Sequence, residues 1–190
     1  LPEERVKEIL SLMRAGDSTE VADLLKYAKD TAGGIMTTEF FALPEDATAQ
    51  DAIRRLQLAT EAEMVFYIYV TDKDERLVGV LSLRQLLTVS PMTPLKNIAT
   101  RDVISVTVDM DQEEVARQVA SYNLLAIPVI DNDNRLVGII TVDDVVDVIR
   151  EEATEDMLKM AGAIEEDSVS KSSSVASAKH RLPWLFTNLV

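Results

Sequence analysis

Four carboxylates recur along one stretch of the chain: Asp143, Asp147, Glu151 and Glu155 stand at i, i+4, i+8 and i+12. On a helix this spacing gathers them into one slowly drifting stripe, with Glu152 and Asp156 alongside. Each like-charge i,i+4 pair destabilises an isolated helix by roughly 0.2–0.5 kcal/mol, and Lys159 is the cation that relieves the far end. More acids flank the stripe, with Asp131 and Asp133 in the polar turn before it and Glu165, Glu166 and Asp167 after Gly162. Such a surface repels itself until cations screen it. Oxygen donors in a chain with no cysteine suit a hard cation such as Mg²⁺ or Ca²⁺ better than zinc. The turn is no EF-hand loop, because the downstream glycine and the terminal glutamate are missing. The residues alone leave two readings open, a cation site and a solvated acidic helix.

A hydroxyl and a carboxylate three residues apart, Thr141 and Asp144, open the same stretch. As local structure this is a capping box, the hydroxyl and the acid satisfying amides at a helix start. A carboxylate at a helix start can also accept from a vicinal diol, and the helix N-terminus suits phosphate. Other chemistry is poorly supplied. The sole histidine, His180, lies in a basic "AKHR" stretch, and no Ser-His or metal-hydrolase spacing occurs. "TAGG" at Thr31 is too short for a phosphate loop and is read as a domain junction. No enzyme is expected.

The elements that carry these residues are written twice. "DERLVGVLSLRQLL" begins at Asp74 and "DNRLVGIITVDDVV" at Asp133. Upstream, "FFALPEDATAQDAIRRLQLA" aligns with "VISVTVDMDQEEVARQVASY", each a short strand, an acidic turn and an amphipathic helix. Ala52, Ile53 and Leu56 match Val115, Ala116 and Val119 on the face to be buried. The runs "MVFYIYV" and "AIPVI" read as buried strands, and "RLVGVLS" and "RLVGIIT" as strands leading into helices. Each unit is β-α-β-β-α. Gly79 and Gly138 sit inside strands, where a missing side chain admits a close neighbour. Ahead of the repeat, residues 1–29 carry two short helical patterns with Ser18 as N-cap of the second, and Gly33-Gly34 then breaks the chain.

The chain has 190 residues, 47% of them apolar, enough for a buried core. The absence of cysteine excludes disulfides and fits a reducing compartment. A net charge of −14 argues against a nucleic-acid partner and favours cations or basic partners. No signal peptide and no 18-residue apolar span is evident. Leu1 lies inside a helical pattern, so the chain reads as a piece of something longer. The final "RLPWLFTNLV" fits either the interfacial start of a transmembrane helix or an amphipathic tail.

A βαββα unit in tandem resembles the CBS domain pair, on the paired "RLVG", Pro128-Val129 and "GIITVDDVV". One unit leaves a sheet face uncovered, and the second copy buries it. The resemblance implies adenine-nucleotide binding, ATP or another, with Thr141 and Asp144 holding the ribose. The first copy offers Ser82, but Gln85 stands where the acid is expected. "DTAGGIMTTEF", "DQEEVA", "EEATEDMLKMAGAIEED" and "RLPWL" sharpen the likeness, which is to the cytosolic region of MgtE-type magnesium transporters. This implies an α/β (α+β) fold: 1–30 the end of a helical N domain, 31–92 and 93–150 the two CBS domains, and 151–190 a linker and plug helix leading to a first transmembrane segment. It further implies a homodimer at the cytoplasmic face of the cell membrane, joined to its own transmembrane domain. Mg²⁺ would be held by Asp133, Asp143, Asp147, Glu165 and Asp167, and its binding would close the pore. The alternative function is a nucleotide-sensing CBS module of another effector.

Overall fold

The computed structural model describes Val21, residues 24–58 and residues 66–160. The chain divides into two units, Leu1–Val145 and Val146–Val190. In the first unit the repeat is built as β1 (Ala42–Pro44), α2 (Ala49–Leu58), β2 (Tyr67–Thr71), β3 (Leu77–Ser82) and α3 (Leu83–Thr88), preceded by a one-turn helix α1 (Ala32–Ile35). After a 3-10 turn at Leu95–Asn97 the order returns as β4 (Val106–Thr107), α4 (Gln112–Tyr122), β5 (Ala126–Ile130), β6 (Leu136–Thr141) and α5 (Val142–Met160). The β4 strand is two residues long, shorter than the pattern "VISVTV" predicts.

Each copy forms a three-stranded sheet, ordered β1-β2-β3 and β4-β5-β6. The first pair in each sheet is parallel and the second antiparallel. A parallel pair needs a long crossover, which α2 and α4 supply, while the antiparallel pair closes through a short turn. That turn is made the same way twice. Asp72 Oδ1 accepts from the amides of Asp74 at 2.8 Å and Arg76 at 2.9 Å. Asp131 Oδ1 accepts from Asp133 and Arg135, both at 2.8 Å. Glu75 and Asn134 complete the turns at φ 64° and 62°.

The copies are stitched together by backbone. Leu77 donates to the Asn134 carbonyl at 3.0 Å, and Leu136 to the Glu75 carbonyl at 3.1 Å. The segment ahead of each copy pairs with the other copy's last strand, Thr37 with Ile139 and Thr100 with Val80. These crossings explain the strand glycines. A Cβ on Gly138 would meet Met36 Sδ at 2.6 Å and the Thr37 carbonyl at 2.9 Å; one on Gly79 would meet Ala99 Cβ at 2.8 Å.

Side-chain alternation divides the interior. On β2, Ile68 and Val70 face the first copy's own core with Leu43, Ala52, Leu81, Leu86 and Leu95. Tyr69 faces the other way and packs with Leu136 and Ile139 of the second copy. In the second copy Val106, Val115, Val119, Ile127, Val129 and Ile140 are buried. Ala52 and Val115 are fully buried, as the helical spacing predicts. The glycine pair does not break the chain. Gly33 and Gly34 lie within α1, where a Cβ would strike Tyr27 at 2.5 Å and the Ala28 carbonyl at 2.2 Å respectively. The amides of Ala32 and Gly33 donate to Met110 and Val108 at 2.7 and 2.8 Å, so this junction is held against the second copy. Tight backbone packing, not turn formation, requires these glycines. The first helical pattern and Ser18 lie outside the described residues; of the second, Val21 and Leu24 are helical and Leu25 donates to the Val21 carbonyl at 3.0 Å.

Candidate functional site

The last strand of each copy runs straight into a helix, and the junction is where the copies differ. In the first, Ser82 caps α3: its hydroxyl accepts from the Gln85 amide at 3.3 Å, and Gln85 Oε1 accepts from the Ser82 amide at 2.8 Å. In the second, Asp144 Oδ2 accepts the Thr141 hydroxyl at 2.5 Å and the Thr141 amide at 3.3 Å. Both of these bonds fall on one carboxylate oxygen. A carboxylate has about four lone-pair sites, so the cap leaves acceptor capacity over. Gln85 makes the equivalent bonds with a neutral amide, so the local structure does not require a charge at this position. The charge on Asp144 is available for another purpose.

Asp143 lies beside this pair and is exposed. The Thr141 hydroxyl and Asp143's own backbone amide hold its carboxyl below the usual range. The one hydroxyl proton serves one acceptor at a time; the 2.5 Å contact assigns it to Asp144, with Asp143 stabilised by the dipole alongside. Two adjacent carboxylates, with Asp143 held below its ordinary value, offer oxygen donors only, the type a hard cation takes.

Asp133 is exposed in the β5–β6 turn. Its amide is fixed by Asp131, and its carbonyl accepts Arg76 Nε of the first copy at 3.1 Å. Asp131 is thus committed to the turn. Asp147 belongs to the second unit, on the exposed face of α5. That helix runs to Met160, as the absence of Gly and Pro before Gly162 predicts. Two cations relieve its acids rather than one: Lys159 pairs with Glu155 at 2.6 Å, and Arg150 with Asp147 at 3.5 Å. The Arg150 pair was missed because the stripe was read at i,i+4 alone, whereas this contact is i,i+3. Both partners are more than three-quarters exposed, so the pair is weak and its acid remains open to exchange. Glu165 and Asp167 lie outside the described residues. Among the described residues no three acids converge on one point. The described acids are oxygen donors of the type a hard cation takes, and they do not by themselves form a cluster.

One further polar atom stands out. Tyr69 is 1% exposed, and its hydroxyl has no hydrogen-bond partner among the described residues. Burial pushes its phenol above the ordinary value, with Tyr67 adding to the shift. A buried hydroxyl without a partner costs about 1–3 kcal/mol. The run "MVFYIYV" reads as strand core, and the alternation of Tyr67 and Tyr69 with Ile68 and Val70 is the signal that one face of the strand differs.

The family model for the CBS domain matches this chain twice, over residues 32–91 and 95–151. The chain belongs to the CBS domain family. Its relatives place this pair within a narrower group. Magnesium transporter MgtE of Thermus thermophilus is 44% identical over 184 residues, covering 96% of this chain and 40% of the relative. Magnesium transporter MgtE of Enterococcus faecalis is 44% identical over 174 residues, covering 91% of this chain and 38% of the relative. The crystal structure of the cytosolic domain of the Mg²⁺ channel MgtE in complex with ATP superimposes with a TM-score of 0.72 at 45% identity, covering 75% of this chain and 58% of that one. This CBS pair is related to the cytosolic region of MgtE-type transporters. The chain spans about 40% of the length of the curated relatives it matches. Among the described residues no helix is long and apolar enough to cross a membrane, and "RLPWLFTNLV" lies outside them.

Proposed function

We propose that this chain is the Mg²⁺-sensing regulatory region of a magnesium transporter. In this reading residues 1–30 end an N-terminal helical domain, 31–92 and 93–150 are the CBS domains, and 151–190 connect to a transmembrane domain at the cytoplasmic face of the membrane. Asp133, Asp143, Asp147, Glu165 and Asp167 would hold Mg²⁺, with the missing donors supplied by a second copy in a homodimer or by undescribed segments. The observation that carries the reading is an exposed, ionised acidic surface on a CBS pair that is 44% identical to MgtE proteins. The chain's part is electrostatic. Without a divalent ion its carboxylates repel one another and favour separated arrangements. An ion bridging them is bound only by the closed arrangement, and that difference in affinity shifts the equilibrium towards closure. Titration calorimetry with MgCl₂ at fixed ionic strength tests this. Binding should appear and should weaken in Asp143→Asn; heats no larger than those of dilution would reject it.

A second ligand is supported by a separate observation. Asp144 carries a charge that its cap does not need, and an MgtE cytosolic domain has been solved in complex with ATP. We infer an adenine-nucleotide site centred on Asp144 with Thr141 beside it, the carboxylate accepting from ribose hydroxyls and the start of α5 facing phosphate. Asp144→Asn keeps the cap but removes the charge and should cost tenfold or so in ATP affinity, from charge-assisted bonds of about 1.5–3 kcal/mol each. Equal affinity in the two proteins would leave Asp144 a capping residue only. A module that bound ATP but not Mg²⁺ would instead belong with nucleotide-sensing effectors.

A further inference from the structure

The Tyr69 side chain is buried between the two copies, and its hydroxyl has no partner among the described residues. It sits on the inward face of β2 and packs against Leu136 and Ile139 of the other copy. Ile139 and Thr141 are two residues apart on β6 and share a sheet face. Tyr69 therefore lies against the strand face that ends at Thr141. The cluster around it is not closed: Phe40, Ala42, Tyr67, Leu77 and Val80 pack there while remaining partly exposed. Two of these rims are aromatic, the kind of wall on which a flat ring stacks.

The strand registers show how specific the arrangement is. Tyr69 stands opposite Val80, and its counterpart in the second copy, Pro128, stands opposite Ile139. The fold therefore accepts a residue with no polar group at this position. The hydroxyl is offered by one copy alone, from a side chain packed against β6, the strand that leads into Asp144. A phenol keeps its proton across the physiological range, so the hydroxyl can act as a donor there.

We propose that Tyr69 is a ligand-reading residue of the nucleotide site, its hydroxyl bonding a polar atom of the base or sugar when a nucleotide is bound between the copies. The inference rests on the reading of Asp144 and Thr141 as a nucleotide site. It explains why a buried hydroxyl persists without a partner: the free protein carries the cost, and the bound ligand relieves it. A hydroxyl kept for the fold alone would contribute to stability and be indifferent to ligand.

Tyr69→Phe removes one oxygen and keeps the ring. Thermal melting of the free protein and ATP titration by calorimetry separate the possibilities. The expected result is opposite signs: a melting temperature equal to or above that of the unmodified chain, with ATP affinity reduced about three- to tenfold, the worth of one hydrogen bond. Unchanged affinity in Tyr69→Phe, while Asp144→Asn loses ATP, overturns the role of Tyr69 and leaves the site standing. A lower melting temperature with unchanged affinity assigns the hydroxyl to the fold, with a buried water as its partner. If Asp144→Asn binds ATP as tightly as the unmodified chain, the reading of the site itself is what fails.

Discussion

A single hydroxyl organises the start of α5. Thr141 donates to Asp144 and lowers Asp143, so its removal acts on both carboxylates. Thr141→Val keeps the β-branched shape on β6 and should destabilise the chain by about 1 kcal/mol, the usual worth of a helix cap, read from chemical denaturation. It should also raise the Asp143 pKa, measurable by carboxyl-carbon NMR titration. The pH dependence has a definite sign. Asp143, Asp51 and Asp72 all sit below their ordinary value of 3.8; the Thr141 hydroxyl beside it leads for the first, a Thr48 hydrogen bond for the second, and the Arg76 amide for the third. A folded pKa below the unfolded one contributes stability that is present above the unfolded pKa and lost as pH falls through the folded one. These groups should leave the melting temperature flat from neutral pH to about pH 5 and steepen its fall below about pH 4. Asp72→Asn should soften that acid limb, since Asn cannot gain a proton there.

At the scale of elements, the glycines give the sharpest test. Gly79→Ala and Gly138→Ala each insert a methyl group where a crossing segment passes, and overpacking of this kind costs about 1–3 kcal/mol. Both variants should melt lower, and a variant that melted like the unmodified chain would show that the crossings at Thr100 and Thr37 are loose. The repeat was legible because its signals are local. Ala52, Ile53 and Leu56 against Val115, Ala116 and Val119 report a helix face, and strand glycines report a close neighbour without naming it. Which neighbour could not be read, because Met36 and Thr37 meet Gly138 from far along the chain. The Gly33-Gly34 pair shows the same limit. Its local meaning is a break; its real environment, the carbonyl of Ala28 and the ring of Tyr27, is a matter of packing. The capping pair at Thr141 is visible from spacing, whereas the cap at Ser82 and the commitment of Asp131 to its turn emerge only from the structure.

For the whole molecule, the excess of 33 acids over 19 bases is the dominant physical fact. Net charge of this size works against compaction and against self-association until ions intervene. The proposed homodimer makes that conflict testable: sedimentation at micromolar concentration should show a species of twice the 21.0 kDa chain, more of it with MgCl₂ present. The account stands most directly on one comparison, thermal melting with small-angle scattering in MgCl₂ and in NaCl at matched ionic strength. Sodium only screens charge, whereas a coordinated ion adds its binding free energy to the closed state alone. At a hundredfold excess over Kd that is about 2.7 kcal/mol, or roughly 5–10 °C for a chain of this size. The predicted result is a higher melting temperature and a smaller radius in Mg²⁺, both reduced in Asp143→Asn and Asp133→Asn. Identical melting temperatures and radii in the two salts would contradict the account and leave the acidic stripe a solvated helix face.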